Sequence, residues 1–206
     1  MTTVWLGTSA AVLAYLLGGI PFGLLFVRLR HGRDIREMGS RNIGATNVLR
    51  TSGWTSGLLT LLLDVAKGFV VVLTAGVLTH QNRTFMALAA GSAVLGHVFP
   101  LYLRFKGGKG VATSVGAFLA LTIPSTAGAV LVFLVVLALW RFVSLASLLA
   151  AAFFPVLYFL IDYRHQPSLP VLLAVVFCSG LVIFRHHENI KRLVNGTENK
   201  LTGLKK

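Results

Sequence analysis

The sequence predicts an all-α, polytopic integral membrane protein built as a bundle of helices. Of its 206 residues, 55% are hydrophobic and only 12% are charged, whereas soluble domains carry about 25% charged residues. The mean hydropathy is +0.79, and several apolar stretches reach the length of about 20 residues that a helix needs to cross a bilayer. The length suits one bundle and leaves little for a soluble part. Residues 1–206 are therefore predicted to form a single transmembrane domain.

Seven apolar segments can be marked along the chain. They cover residues 4–29, 54–79, 84–103, 111–123, 125–140, 142–161 and 169–184. The fourth segment is short for a span and ends at Pro124, so we expect it to be tilted or to form a partial span inside the bundle. The alternative is one long kinked helix over residues 111–140, which would give six spans. Small residues and a proline are expected to bend the first segment or to admit a neighbouring backbone: Gly18, Gly19, Pro21 and Gly23.

The basic residues are distributed asymmetrically between these segments. If seven segments alternate with the N-terminus outside, Arg83 and Arg164 fall on the outer side and Lys67 falls within a span. The other 16 of the 19 Lys and Arg residues then lie on the inner side. Because cytoplasmic loops are enriched in basic residues, this pattern favours seven spans and a cytoplasmic C-terminus. The net charge of +13 is then explained by orientation, lipid headgroups and anionic substrates rather than by nucleic acid.

A dense Gly/Lys loop lies between the third and fourth segments, at residues 104–113. Gly107, Gly108 and Gly110 have no Cβ, so their backbone N–H groups can turn toward one point, and Lys109 adds a full charge. The helix predicted from Val111 onward would add the free amides of its first turn. These features predict a cradle for a phosphate or an acyl phosphate. The alternative is a flexible, positively charged loop that binds nothing.

Two further inner stretches carry polar groups. The first inner loop contains Ser40, Thr46 and Asn47 and ends in Arg50, whose planar guanidinium suits phosphate; the alternative is a capped turn. In the inner tail, His186 and Glu188 are the candidates for acid–base chemistry; the alternative is a solvated amphipathic helix. A zinc site is not expected there, because adjacent histidines on a helix point about 100° apart.

Polar residues also occur within the apolar segments. Asp64 and Lys67 share a helical face and are expected to form an ion pair that positions the site. His97 is interpreted as a packing residue. Ser144 and Ser147 are candidates to add hydroxyls to an anion site, although serines in a span often bond to their own helix backbone. Cys178 is the only cysteine, which excludes an intrachain disulfide.

These stretches resemble a known family over nearly the whole chain. The motifs are Gly-Ser-Arg-Asn-Ile-Gly-Ala-Thr-Asn-Val-Leu-Arg at residues 39–50, Gly-His-Val-Phe-Pro-Leu-Tyr-Leu-Arg-Phe-Lys-Gly-Gly-Lys-Gly-Val-Ala-Thr at 96–113, and Arg-His-His-Glu-Asn-Ile-Lys-Arg-Leu at 185–193 with Asn-Gly-Thr-Glu at 195–198. The in-membrane Asp-Val-Ala-Lys-Gly at 64–68 also fits. The sequence resembles the bacterial membrane acyltransferases that transfer an acyl group from acyl phosphate to glycerol 3-phosphate, the PlsY family. Arg41 and Asn199 depart from residues common in that family.

The resemblance implies an enzyme of the bacterial inner membrane that makes lysophosphatidic acid and phosphate, with its active site on the cytoplasmic face. It implies no cofactor, no metal, no nucleic acid and no obligate protein partner. Ser40, Arg50, Lys109 and Ser147 would bind phosphate, together with the amides of Gly107, Gly108, Gly110 and Thr113. His186 and Asn189 would orient the glycerol part, and Thr46, Asn47 and Glu188 would support the site. Of these, Ser40, Lys109, His186 and Asn189 are the predicted catalytic residues.

Rival functions are less well supported by the residues. No histidine is followed by Asp after four intervening residues, as in thioester-dependent glycerolipid acyltransferases. Phosphatidyl-alcohol transferases need a cluster of aspartates, and the three aspartates here are scattered. A transporter for an organic phosphate would need inverted repeats or paired broken helices near the midplane. A purely structural protein would leave the three polar stretches unexplained.

Overall fold

The computed structural model describes residues 1–201, which form an all-helical bundle. Its ten α-helices are α1 Thr2–Gly18, α2 Phe22–His31, α3 Ala45–Ser52, α4 Trp54–Leu78, α5 Arg83–Val98, α6 Val111–Leu119, α7 Ile123–Trp140, α8 Val143–Leu157, α9 Leu169–Arg185 and α10 His187–Val194. A π-helical turn, Tyr158–Tyr163, extends α8. Lys205 and Lys206, which entered the predicted charge asymmetry, lie outside the described residues.

Five helical stretches are long and apolar enough to cross a membrane: Thr2–His31, Trp54–Leu78, Arg83–Leu103, Ile123–Trp140 and Val143–Tyr163. The pair α9 and α10, bent by 55°, gives a sixth candidate span. Helix α6 has nine residues and measures about 14 Å, which is short of the roughly 30 Å hydrocarbon core. All seven apolar segments are therefore helical, and five or six of them qualify as spans by their own length.

Helices α6 and α7 are separate, as expected from the short fourth segment. Residues 120–122 interrupt them, and Thr122 Oγ1 and Ser125 Oγ lie 2.6 Å apart at the start of α7. The stretch over residues 111–140 is therefore interrupted rather than a single long helix, and this break does not decide between six and seven spans. The expected break in the first segment is also present, since α1 ends at Gly18 and α2 begins after Pro21.

Small residues allow close helix contacts around α5 and α6. A Cβ added to Gly18 would meet the Ala93 backbone, and one added to Gly96 would meet the Tyr15 carbonyl, so α1 and α5 touch backbone to backbone. Gly68 and Gly116 do the same between α4 and α6. Outward-facing leucines and phenylalanines remain exposed on the bundle surface, as expected for helices that face lipid.

The polar stretches gather at one end of the bundle. The tail joins the start of α8 there, through Ser144 Oγ donating to Glu198 and Leu201 N donating to the Arg141 carbonyl. The opposite end holds the Arg83–Gln166 hydrogen bond of 2.7 Å. The first inner loop, the Gly/Lys loop and the tail thus share one end.

Candidate active site

A cavity of about 720 Å³ opens at the end where the three stretches meet. Its polar lining includes Ser40, Thr46, Asn47, Arg50, Lys109, Gly110, Ser144, Ser147, His186, Asn189, Arg192 and Glu198. Its apolar lining comes from α4, α6, α7 and α8 and includes Leu61, Val65, Val115, Phe118, Val130, Phe133, Ala150 and Phe154. A cationic rim therefore continues directly into an apolar slot.

Lys109 joins the Gly/Lys loop to the tail. Its Nζ donates a 2.5 Å hydrogen bond to Asn189 Oδ1. Burial lowers the pKa of Lys109 to about 8, and the nearby Glu198 carboxylate offsets part of that effect. Because the side chain is still charged at neutral pH, it can hold an anion in the cavity.

Glu198 organises the other side of the rim. Its Oε1 accepts hydrogen bonds from Ser144 Oγ at 2.8 Å and Asn189 Nδ2 at 2.7 Å, and its Oε2 accepts from Arg192 Nε at 2.6 Å. Burial alone would raise the pKa of Glu198, but the three hydrogen bonds lower it below its usual value. The carboxylate thus fixes the Asn189 amide so that its oxygen faces Lys109.

His186 is buried beside this network, at the junction of α9 and α10. Its Nδ1 lies 2.8 Å from the Val182 carbonyl oxygen. A carbonyl can only accept, so Nδ1 carries the proton of the neutral ring and Nε2 keeps a free lone pair. His186 can therefore accept a hydrogen bond from a substrate hydroxyl in the cavity.

Asn47 holds the first inner loop in shape. Its Oδ1 accepts from Ser40 N at 2.9 Å, and its Nδ2 donates to the carbonyls of Met38 at 3.0 Å and Asn42 at 2.8 Å. These bonds occupy the Asn47 amide and leave the Ser40 hydroxyl at the rim. Arg50 donates from Nη2 to the Asn199 carbonyl at 3.1 Å, which ties α3 to the tail.

The Gly/Lys loop differs in part from the predicted cradle. Gly107 N donates to the Val98 carbonyl at 3.2 Å and Gly108 N donates to the His97 carbonyl at 3.0 Å. These two amides are therefore occupied within the protein. Within residues 1–201, the N–H groups of Lys109, Gly110 and Val111 have no hydrogen-bond acceptor, so the free donors lie at the start of α6.

Three other residues predicted for the site do not offer a free side chain to the cavity. Ser147 lines the cavity, but its hydroxyl donates to the Val143 carbonyl at 2.9 Å. Thr113 is buried outside the lining, and its hydroxyl has no partner among the described residues. Glu188 is exposed and lies 3.3 Å from Lys191 Nζ, away from the cavity. Glu198, ten positions later in the chain, takes the place at the rim.

The expected ion pair within α4 is present behind the loop. Lys67 Nζ lies 2.7 Å from Asp64 Oδ1 and 2.9 Å from His97 Nδ1, and it donates to the Ile20 carbonyl at 2.8 Å. This buried network joins α4, α5 and the break between α1 and α2. Among residues 1–201, no cluster of three His, Cys, Asp or Glu side chains could hold a metal ion.

Comparison with known proteins identifies the family. The glycerol-3-phosphate acyltransferase family model matches residues 8–196. The chain belongs to the glycerol-3-phosphate acyltransferase family. Glycerol-3-phosphate acyltransferases of Trichlorobacter lovleyi and Syntrophotalea carbinolica are 49% and 47% identical to it, each over 91% of this chain and 93% of the relative.

Solved structures of the same family share the fold. A crystal structure of PlsY, an integral membrane glycerol 3-phosphate acyltransferase, in its glycerol 3-phosphate form matches with a TM-score of 0.89 and 37% identity, covering 95% of this chain and 96% of that one. The lysophosphatidic acid form matches with a TM-score of 0.85 and 35% identity, covering 95% of both chains. The resemblance to the PlsY family is thus confirmed.

In this glycerol-3-phosphate acyltransferase, sequence reasoning gave no role to three residues that the structure brings into or beside the site. Glu198 and Arg192 pair at the rim, and Arg185 donates to the carbonyls of Gly107 and Gly108. All three lie in the tail motifs that carry the family resemblance. Arg185 contacts a loop 77 and 78 positions away in the chain, and Glu198 contacts Ser144 54 positions away, so only the fold could reveal these contacts.

Proposed function

We propose that this protein transfers an acyl group from acyl phosphate to the sn-1 hydroxyl of glycerol 3-phosphate, giving lysophosphatidic acid and inorganic phosphate. This would be the first acylation step of phospholipid synthesis. The observation that carries the proposal is a single cavity in which an apolar slot meets a rim bearing Arg50, Lys109 and Arg192. An acyl phosphate offers an apolar chain and an anion joined at the reacting carbonyl, and the acceptor brings a second phosphate.

The residues take roles that follow from their contacts. Lys109, Arg50 and the Ser40 hydroxyl hold the two phosphates, and the amides of Lys109 and Gly110 supply further donors. His186 Nε2 and Asn189 orient the glycerol hydroxyls. Asn47 and Glu198 hold the site in shape rather than contacting the substrate, and Ser147 would have to release its backbone bond to contribute a hydroxyl.

Acyl transfer is proposed to be direct. The glycerol hydroxyl oxygen bonds to the acyl carbonyl carbon, the carbon–oxygen bond to phosphate breaks, and a phosphate oxygen takes the hydroxyl proton. Amide and Lys109 donors stabilise the negative carbonyl oxygen in between. Orientation of two bound substrates supplies part of the roughly 7–11 kcal/mol available from proximity. No coenzyme or metal is needed, because the mixed anhydride already carries phosphate as its leaving group.

We also propose a membrane topology for the chain. Residues 1–206 form one domain with seven crossings, an outer N-terminus and an active site on the cytoplasmic face of the bacterial inner membrane. The distribution of basic residues supports this arrangement, and so does the contact between Lys109 and Asn189. Helix α6 would complete its crossing together with the loop before it and the turn at residues 120–122. The acyl donor would enter the slot from the lipid.

The test is an assay of the purified protein in lipid or detergent micelles. Acyl phosphate with glycerol 3-phosphate should give lysophosphatidic acid and phosphate in equal amounts, whereas acyl-coenzyme A in its place should give no product. Use of the thioester would overturn the proposed donor. Trapping of an acyl-serine at Ser40 would refute direct transfer. Movement of glycerol 3-phosphate into vesicles without product would favour the transporter.

A further inference from the structure

We infer that Arg185 is a positioning residue that fixes the Gly/Lys loop so that the Lys109 and Gly110 amides and the Lys109 side chain face the cavity. This inference rests on the proposed acyl transfer and adds a residue to its machinery. Arg185 is not part of the cavity lining, so it acts through the loop rather than on a substrate.

The Arg185 guanidinium holds two consecutive carbonyl groups of the loop. Its Nη2 donates to the Gly107 oxygen at 3.2 Å and its Nε donates to the Gly108 oxygen at 3.3 Å. The same group lies 5.7 Å from the centroid of the Phe99 ring. The planar fork of arginine can hold two acceptors in one fixed geometry, which the point charge of lysine cannot.

The opposite side of the loop is held by the end of α5. The amides of Gly107 and Gly108 donate to the carbonyls of Val98 and His97 at 3.2 and 3.0 Å. Without Arg185, the two carbonyls it holds would lose their charged partner, while the bonds to α5 would remain. Arg185 therefore fixes the one side of the loop that α5 does not.

The two hydrogen bonds from Arg185 also determine the direction of the Lys109 N–H group, because of the geometry of the peptide bond. The chain has no cis peptide bond among its described residues, and in a trans peptide the carbonyl and the following N–H point in opposite directions. The Gly108 carbonyl points to Arg185, so the Lys109 N–H points away from it. That N–H is one of the free donors at the start of α6 and belongs to a residue that lines the cavity.

The glycines show how closely the loop is seated. A Cβ added to Gly108 would meet the His97 ring, and one added to Gly107 would meet the His97 carbonyl and Pro100. The loop thus has no room to move toward α5, and its freedom lies on the side that Arg185 closes. Arg185 ends α9 and His186 follows at once, so the same short stretch positions the loop and presents His186.

Two measurements on Arg185→Gln and Arg185→Lys test the inference, with Arg164→Gln as the control at an exposed arginine of the opposite end. The first is amide hydrogen exchange of residues 104–112 in the purified protein, which needs no activity. We expect faster exchange in Arg185→Gln than in the wild type or the control. The second is steady-state kinetics. We expect a kcat loss of about 100-fold in Arg185→Gln with KM for glycerol 3-phosphate changed less than about threefold.

Arg185→Lys should show an intermediate kcat, because an ammonium can reach one carbonyl but not both in the fork geometry. Unchanged exchange in the loop would overturn the inference, and so would faster exchange with normal kcat. A rise in KM at constant kcat would overturn it in favour of direct substrate binding by Arg185. If the wild-type protein showed no acyl-transfer activity, the proposed function would be refuted. The hydrogen-exchange data would still decide whether Arg185 holds the loop.

Discussion

At the residue scale, the charge of Lys109 depends on its surroundings. Its pKa is lowered to about 8, so the ammonium becomes neutral at a lower pH than an exposed lysine would. Since the proposed role needs the charged form, kcat/KM should fall as pH rises through about 8. Arginine side chains do not deprotonate in this pH range.

The measurement is the pH profile of kcat/KM, which reports groups of the free enzyme. Lys109→Arg should be less active than the wild type at every pH. Its activity should not fall on the alkaline side, because its guanidinium stays charged. An alkaline limb near pH 8 that persists in Lys109→Arg would assign the titration to another group.

Glu198 is predicted to stabilise the folded protein through its three hydrogen bonds. Hydrogen bonds to a charged group contribute about 1.5–3 kcal/mol each, so Glu198→Gln should lower the midpoint of thermal unfolding at pH 7. Because the pKa of Glu198 is below its usual value, this stability is present above the unfolded-state pKa and disappears as pH falls through the folded-state value. The gap to the wild type should therefore close in acid.

Ser144→Ala is the matched control, since it removes one neutral donor to the same carboxylate and leaves the charge in place. Its effect should be smaller and should also fade in acid, because the Ser144 hydrogen bond contributes to the lowered pKa of Glu198. Equal effects of the two variants at every pH would remove the assigned role of the Glu198 charge.

The types of residue at the site could be predicted from the sequence, but their contacts could not. Arg50, Lys109, His186 and Asn189 all line the cavity, as their side-chain chemistry suggested. Glu188 was predicted to support the site, and Glu198 was not. The fold reverses that choice, since the chain turns back at Gly196 with a φ of +67° and carries Glu198 into the rim.

At the element scale, the packing of α6 on α4 fixes the position of the start of α6, which follows the Gly/Lys loop. A Cβ on Gly116 would meet the Val65 carbonyl and lie 3.0 Å from Phe69 N. Gly116→Ala should therefore push α6 away from α4, lowering both the unfolding midpoint and kcat. Gly180→Ala in α9 is the control, because an added Cβ meets nothing within 4 Å there. Normal kcat in Gly116→Ala would show that the site tolerates movement of α6.

The apolar slot is predicted to set acyl-chain preference at Phe118 and Phe154. Their rings meet edge to face with centroids 5.1 Å apart, and both line the cavity. Phe154→Leu should deepen the slot and raise the kcat/KM ratio of longer to shorter acyl phosphates by about tenfold, since one methylene in an apolar pocket accounts for about 1–3 kcal/mol. Phe153→Leu is the control, because that ring is 51% exposed on the outer surface. An unchanged ratio in Phe154→Leu would exclude this pair as the determinant.

The helices were predicted from the length of the apolar runs, while the ends of the helices depended on tertiary contacts. The short fourth segment was predicted from its length and from Pro124. The occupied amides of Gly107 and Gly108 were not, because their acceptors are carbonyls at the end of α5 that no local pattern identifies. The sequence therefore overestimated the number of amides free to bind an anion.

At the scale of the whole molecule, three stretches distant in the chain form one rim. Lys109 contacts Asn189, Arg50 contacts Asn199, and Glu198 joins the tail to α8. The charge asymmetry of the loops predicted that these stretches share a side, because one orientation of the bundle places nearly all basic residues together. It could not predict the order of contacts within the rim, which depends on the break between α9 and α10.

The convergence of the three stretches on one anion site is tested most directly by turnover of Arg50→Ala, Lys109→Ala and Asn189→Ala. Each removes one rim residue from a different stretch, and Arg30→Ala serves as an exposed arginine control outside the cavity. With acyl phosphate and glycerol 3-phosphate, each of the three should lose more than about 100-fold in kcat/KM while its unfolding transition stays cooperative, and the control should keep its activity. Near-normal turnover in any one of the three folded variants would contradict a shared site.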